Sequence, residues 1–107
     1  MPFTTLASLP AKEILGGGVR GHYAHLERLT IGEVELAAGT VLPHHQHPHE
    51  QISYVISGRF EFTVGGETTV LEPGMVALIP GGVPHSGRTL TACRVVDVFS
   101  PVREDYR

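Results

Sequence analysis

Short apolar runs, cut by glycine and proline at nearly regular intervals, make up the chain from Val19 onward. The cuts fall at Gly39, in the proline-bearing segment His44–Gln51, and at Ser57-Gly58, Gly65-Gly66, Pro73-Gly74 and Pro80-Gly81-Gly82. No stretch shows helical periodicity over three turns. Several runs instead alternate with period two, as strands with one buried face do. Phe60, Phe62 and Val64 take one parity, and Arg59, Glu61 and Thr63 the other. Gly65-Gly66 suits a tight hairpin turn into Glu67–Leu71, and Glu72-Pro73-Gly74-Met75 suits a type II turn. Between Leu29 and Leu36 the apolar parity switches at Gly32, which predicts a β-bulge there. Roughly seven to ten short strands at this spacing describe an all-β sandwich or barrel. Residues 1–18, with the break Gly16-Gly17-Gly18, read as an N-terminal arm that is irregular, extended or a single helical turn. Residues 19–107 read as one β domain, in keeping with the chain's length.

Composition narrows the function. The net charge is −3 and the eight basic residues are scattered, so no stripe invites nucleic acid. No apolar run approaches a bilayer span, and no basic segment followed by an apolar one marks a secretory leader. The single cysteine, Cys93, forms no internal disulfide and suits a reducing cytoplasm; it reads as a small core residue. The expectation is a cytoplasmic protein with no membrane or nucleic-acid partner.

Five of the seven histidines lie in His44-His45-Gln46-His47-Pro48-His49 and at His85. Neutral imidazole is the commonest metal ligand, and a histidine cluster inside the chain, flanked by strands, points to a metal site. Residues two apart on a strand face the same way, so His45 and His47 can share one lumen. Past Pro48 that parity holds only if the strand continues. His85 opens a later strand, so two neighbouring strands can bring three or four ligands to one ion. His44 and Glu50 have outward parity, although a register shift would bring Glu50 in. His49 stays open between ligand, donor behind the ligands and pocket wall. His22 and His25 read as ordinary strand residues.

Gly39, five residues, His45-x-His47, three residues, Gln51, six residues, Gly58 resembles the first cupin motif, with Gln where the family usually has Glu. Gly74, five residues, Pro80-x-Gly82, two residues, His85 resembles the second, with Thr89 where Asn is frequent. The resemblance implies an antiparallel double-sheeted β-barrel or jelly roll. It also implies one divalent transition metal per chain, held by His45, His47, Gln51 and His85; Ni, Zn, Fe, Mn, Cu and Co all suit such ligands. A neutral amide in place of a carboxylate leaves the ion's charge less compensated, which favours anionic ligands.

Asp97 interrupts the apolar run Cys93–Phe99 and shares a face with Val95 and Phe99. A buried acid must be paired, hydrogen-bonded or functional. Asp97 is therefore either a general acid/base in the lumen or the partner of Arg94, Arg59 or another surface base. The stretch Asp97–Tyr106, with the His45–Gln51 segment, resembles the small single-domain cupins of pectin and alginate breakdown, which ketonise unsaturated uronates. That resemblance puts Asp97, Phe99 and Arg103 beside the metal. The expectation built on it is an isomerase- or lyase-like step on a small sugar acid, in which Asp97 relays the proton, Arg103 pairs bidentately with the carboxylate, and Phe99 and Tyr54 wall the site. The competing readings are a dioxygenase of an enolate-type substrate, a non-catalytic small-molecule binder, and a metal that only stabilises the fold. Ile52, Tyr54 and Ile56 have parity opposite to Gln51, and an apolar outer row of this kind points to a homodimer.

Overall fold

The computed structural model describes residues 2–14 and 18–107; Leu15, Gly16 and Gly17, which include most of the expected glycine break, lie outside the described residues. Ten strands are present among the described residues: β1 Ala11–Ile14, β2 Val19–His25, β3 Thr30–Leu36, β4 Val41–His45, β5 Glu50–Ser57, β6 Phe60–Val64, β7 Glu67–Leu71, β8 Val76–Ile79, β9 His85–Thr89 and β10 Cys93–Ser100. Two single 3₁₀ turns, Leu6–Ser8 and Glu104–Tyr106, flank them. A six-stranded sheet has the order β1-β2-β3-β10-β5-β8 and a four-stranded sheet the order β4-β9-β6-β7. Every pairing is antiparallel, so the fold is all-β and double-sheeted. The lead-in supplies β1, which pairs with β2 of the same chain at the edge of the larger sheet. Among the described residues, no helix is long and apolar enough to cross a membrane.

Alternation decides what each sheet buries. On β5, Gln51, Ser53 and Val55 are buried while Ile52, Tyr54 and Ile56 are exposed. Val34, Leu36, Val55 and Val95 from the larger sheet and Phe60, Phe62 and Leu71 from the smaller one form the core. Each such side chain contributes roughly 1.5–3 kcal/mol by leaving water. Both expected turns are present. Gly65 and Gly66, with φ of 57° and 89°, close the β6–β7 hairpin. The Met75 N–H donates to the Glu72 carbonyl at 3.0 Å across the Pro73-Gly74 turn.

The bulge expected at Gly32 is absent. Pairing of β3 with both β2 and β10 runs without a shift through Tyr23↔Gly32 and Asp97↔Gly32, so Leu29 and Ile31 stay exposed. The glycine serves a different purpose. The Tyr23 ring lies across Gly21 and Gly32, and a Cβ at either would collide with it. The register shifts fall elsewhere, between Arg94 and Val95 against β5 and between Leu42 and His45 against β9.

Candidate metal centre

Two cross-strand pairs build the site, one from each sheet. His45 on β4 stands opposite His85 on β9, and Ser53 on β5 stands opposite Asp97 on β10. His47 is not held by strand parity, because β4 ends at His45. Its loop is tied instead to the glycine loop before β9. The Gly82 N–H donates to the His47 carbonyl at 2.8 Å, and Gly81 packs so closely on the Pro48 carbonyl that a side chain would not fit.

The three histidines present the same face to one point. The Nδ1 atoms of His45, His47 and His85 lie 2.6, 3.1 and 3.0 Å from the carbonyls of Pro43, His49 and Val83. A carbonyl only accepts, so each Nδ1 carries the hydrogen and each neutral ring keeps its lone pair on Nε2. Such outer hydrogen bonds fix tautomer and orientation in metal-ligating histidines. One nitrogen from each of the three lies within 4.8 Å of the others, and the buried Nε2 of His85 has no hydrogen-bond partner. Burial lowers the His85 pKa to about 4. Burial and the Arg103 charge also hold His47 below the usual histidine range. Three lone pairs facing one another, with protonation disfavoured at His47 and His85, suit a divalent cation.

Gln51 joins this set by its oxygen. Oε1 lies 3.0 Å from His47 Nε2, so an amide oxygen and an imidazole lone pair meet where a shared cation would satisfy both. The other end of the amide donates to Ser53 Oγ at 2.9 Å and reaches Asp97 Oδ1 at 3.5 Å. Ser53 in turn donates to Asp97 Oδ1 at 2.6 Å. The structure therefore brings His45, His47, Gln51, His85 and Asp97 together around one cavity of about 50 Å³, with Phe99 and Arg103 also in its wall. Burial pushes Asp97 up to about 6, against the opposing pull of Ser53, Gln51 and Arg103. The surface bases named as alternative partners are engaged elsewhere: Arg94 with Glu33 and Glu35, and Arg59 with Glu72.

Two sequence expectations are corrected. Tyr54 does not wall the site; it is 41% exposed on the outer face, and Ser53 holds the inward position. The His49 ring does not line the cavity; its carbonyl accepts from His47 instead, with the rings 5.5 Å apart. Arg103 Nε and Nη2 donate to the two oxygens of Asp105 at 3.0 and 2.7 Å, which uses two of its five N–H donors. The guanidinium is also stacked on Phe99 and Tyr106, 4.8 and 4.0 Å from the ring centres. Arg103 is therefore held in place at the cavity wall, with its remaining N–H donors on Nη1 and Nη2. His44 and Glu50 are exposed as expected, and His22 and His25 bond to Leu9, Thr30 and Tyr106 away from the cavity. The sequence reading missed Ser53, Asp105 and Tyr106. Parity with Gln51 was the available signal for Ser53; nothing local marked the other two.

Comparison with known proteins gives this geometry a context. The sequence profile described as Cupin domain matches residues 32–99. The pectin degradation protein KdgF of Dickeya dadantii is 35% identical over 97 residues, covering 88% of this chain and 88% of that protein. The structure of KdgF from a Halomonas species superposes with a TM-score of 0.90 at 31% identity, covering 100% of this chain and 99% of that one. An RmlC-like cupin from Shewanella frigidimarina superposes with a TM-score of 0.91 at 30% identity, covering 100% and 96%.

Proposed function

The chain belongs to the cupin domain family, and from that premise we propose that it binds a small, anionic sugar-acid-like molecule at a histidine-held divalent metal and converts its enol form to the keto form. His45, His47 and His85 would hold the ion through Nε2 and Gln51 through Oε1. When bound, the ion polarises a substrate oxygen as a Lewis acid. The observation that carries the reading is Asp97, whose carboxyl is held by Ser53 and Gln51 in the same cavity as the three histidines and, among the described residues, forms no ion pair.

Asp97 moves the proton that enol-to-keto conversion requires, and its raised pKa of about 6 lets it both give and take one near neutrality. Arg103, pinned by Asp105, draws the substrate's carboxylate with its charge and its remaining N–H donors. Phe99 and Tyr106 shield that charge from water. The likeness to pectin degradation proteins supports an unsaturated uronate as the substrate class.

Asp97→Asn should keep the metal stoichiometry and lose turnover of an unsaturated uronate by about 10²–10⁴-fold. Loss of the substrate's double-bond absorbance follows the reaction, and elemental analysis counts the metal. Equal turnover in the variant removes Asp97 from the mechanism. No turnover in the metal-loaded wild type removes the substrate class.

A further inference from the structure

The Gln51 amide raises a problem that a glutamate at this position would not. A carboxylate offers two equivalent oxygens, whereas an amide turned over about its last torsion offers –NH₂ to the histidines and no ligand atom. The two orientations have nearly the same shape, and that torsion is soft, so the neighbours must select one. We propose that Ser53 is the positioning residue that makes the selection, and that it thereby sets the affinity of the site for metal. The proposal rests on Gln51 being a ligand.

The selection follows from counting hydrogens. Asp97 Oδ1, as carboxylate, only accepts, so the one hydroxyl hydrogen of Ser53 goes to it at 2.6 Å. Ser53 Oγ then has only lone pairs left, and the atom 2.9 Å away must be a donor, which makes it Nε2 of Gln51. Oε1 is thereby turned to the opposite side, 3.0 Å from His47 Nε2. The chain of hydrogen bonds reads in one direction only, amide to hydroxyl to carboxylate, beside a longer direct reach of 3.5 Å from the same amide nitrogen to Asp97 Oδ1. Its members are fixed by the backbone. Ser53 is directly opposite Asp97 across the β5–β10 pairing and lies two residues from Gln51 on the same face of β5. Ser53 is 2% exposed.

Co²⁺ affinity of the purified full chain, measured by chelator competition above neutral pH, tests this. Ser53→Ala should weaken Co²⁺ binding about 10–100-fold, the usual effect of losing a group that orients a ligand, and approach the loss given by Gln51→Ala. Ser53→Thr keeps the hydroxyl and should stay near wild type. In a Gln51→Glu background the same Ser53→Ala change should cost less than about 3-fold, because the ligand no longer has a wrong end. Unfolding of the metal-free variants, followed by circular dichroism, separates misfolding from loss of affinity. Wild-type affinity in Ser53→Ala overturns the proposal, as does an equal loss in both backgrounds. If Gln51→Ala itself binds Co²⁺ like wild type, Gln51 is not a ligand and the reading beneath the proposal fails with it.

Discussion

Asp97 and His85 face one cavity and couple to pH with opposite signs in the metal-free protein. The Asp97 pKa is raised from 3.8 to about 6, so between those values the folded state holds a proton that the unfolded chain has lost. Stability therefore falls as pH rises through that window. The His85 pKa is lowered from 6.5 to about 4. There the unfolded chain binds the extra proton, and stability rises with pH from about 4 to 6.5. His47, lowered in the same direction, reinforces the rise. At about 1.4 kcal/mol per pH unit, each group contributes at most about 3 kcal/mol, and the two largely offset each other between pH 4 and 6. Asp97→Asn removes one side of the balance. Its advantage over wild type in urea unfolding of metal-free protein should grow by about 2 kcal/mol from pH 4.5 to 6.5. Parallel stability curves for the two proteins would place Asp97 outside the enclosed cavity. The residues that take part in this balance were legible in the sequence because their types are chemically loud: clustered histidines and an acid in an apolar strand. Ser53 and Asp105 were not, because a serine or a surface acid is common, and only its neighbours give it meaning.

At the scale of elements, alternation revealed several of the strands, their inward faces and two of the turns, since those depend on neighbours in sequence. It did not reveal register, which depends on residues far apart in sequence. The shift between Arg94 and Val95 pairs Asp97 with Ser53. The register of Arg94↔Ser57, carried on unshifted, would set Asp97 opposite Tyr54 and break the chain of hydrogen bonds to Gln51. Gly58 lies beside that shift with a φ of +90°, and a Cβ there would run into the Ala92 carbonyl and Cys93. Gly58→Ala combines a left-handed backbone with a clash against main chain. It should cost about 2–4 kcal/mol in urea unfolding and lower the affinity for metal as the Ser53–Asp97 pair moves. A melt indistinguishable from wild type would show that the strand end yields freely and that Gly58 does not hold the register. The misplaced bulge at Gly32 has the same origin. The sequence shows a change of parity, but not that the Tyr23 ring occupies the space of the missing side chain.

For the whole molecule, the outer face of the six-stranded sheet remains to be accounted for. Leu78, Ile52, Val98 and Ile31 are consecutive cross-strand partners on β8, β5, β10 and β3, so they stand in one apolar row across four strands. Val76, Tyr54 and Val96 form a second row beside it. Leu78 is 65% exposed and Ile52 45%. Contiguous apolar rows of this kind mark surfaces that meet a partner, and closed two-fold pairing is the commonest way for one chain to cover such a face. We propose that two copies pack these rows together, leaving both metal cavities, which open between the sheets, intact. Light scattering behind a sizing column should then give twice the 11.5 kDa of one chain. Leu78→Glu puts a charge at the most exposed point of the row and should shift the protein toward a single-chain mass, while Co²⁺ affinity stays at the wild-type value because Leu78 does not line the cavity. A single-chain mass for wild type at micromolar concentration would leave the face to some other partner. A lost metal site in Leu78→Glu would show instead that the outer face and the histidine cluster are coupled through β5.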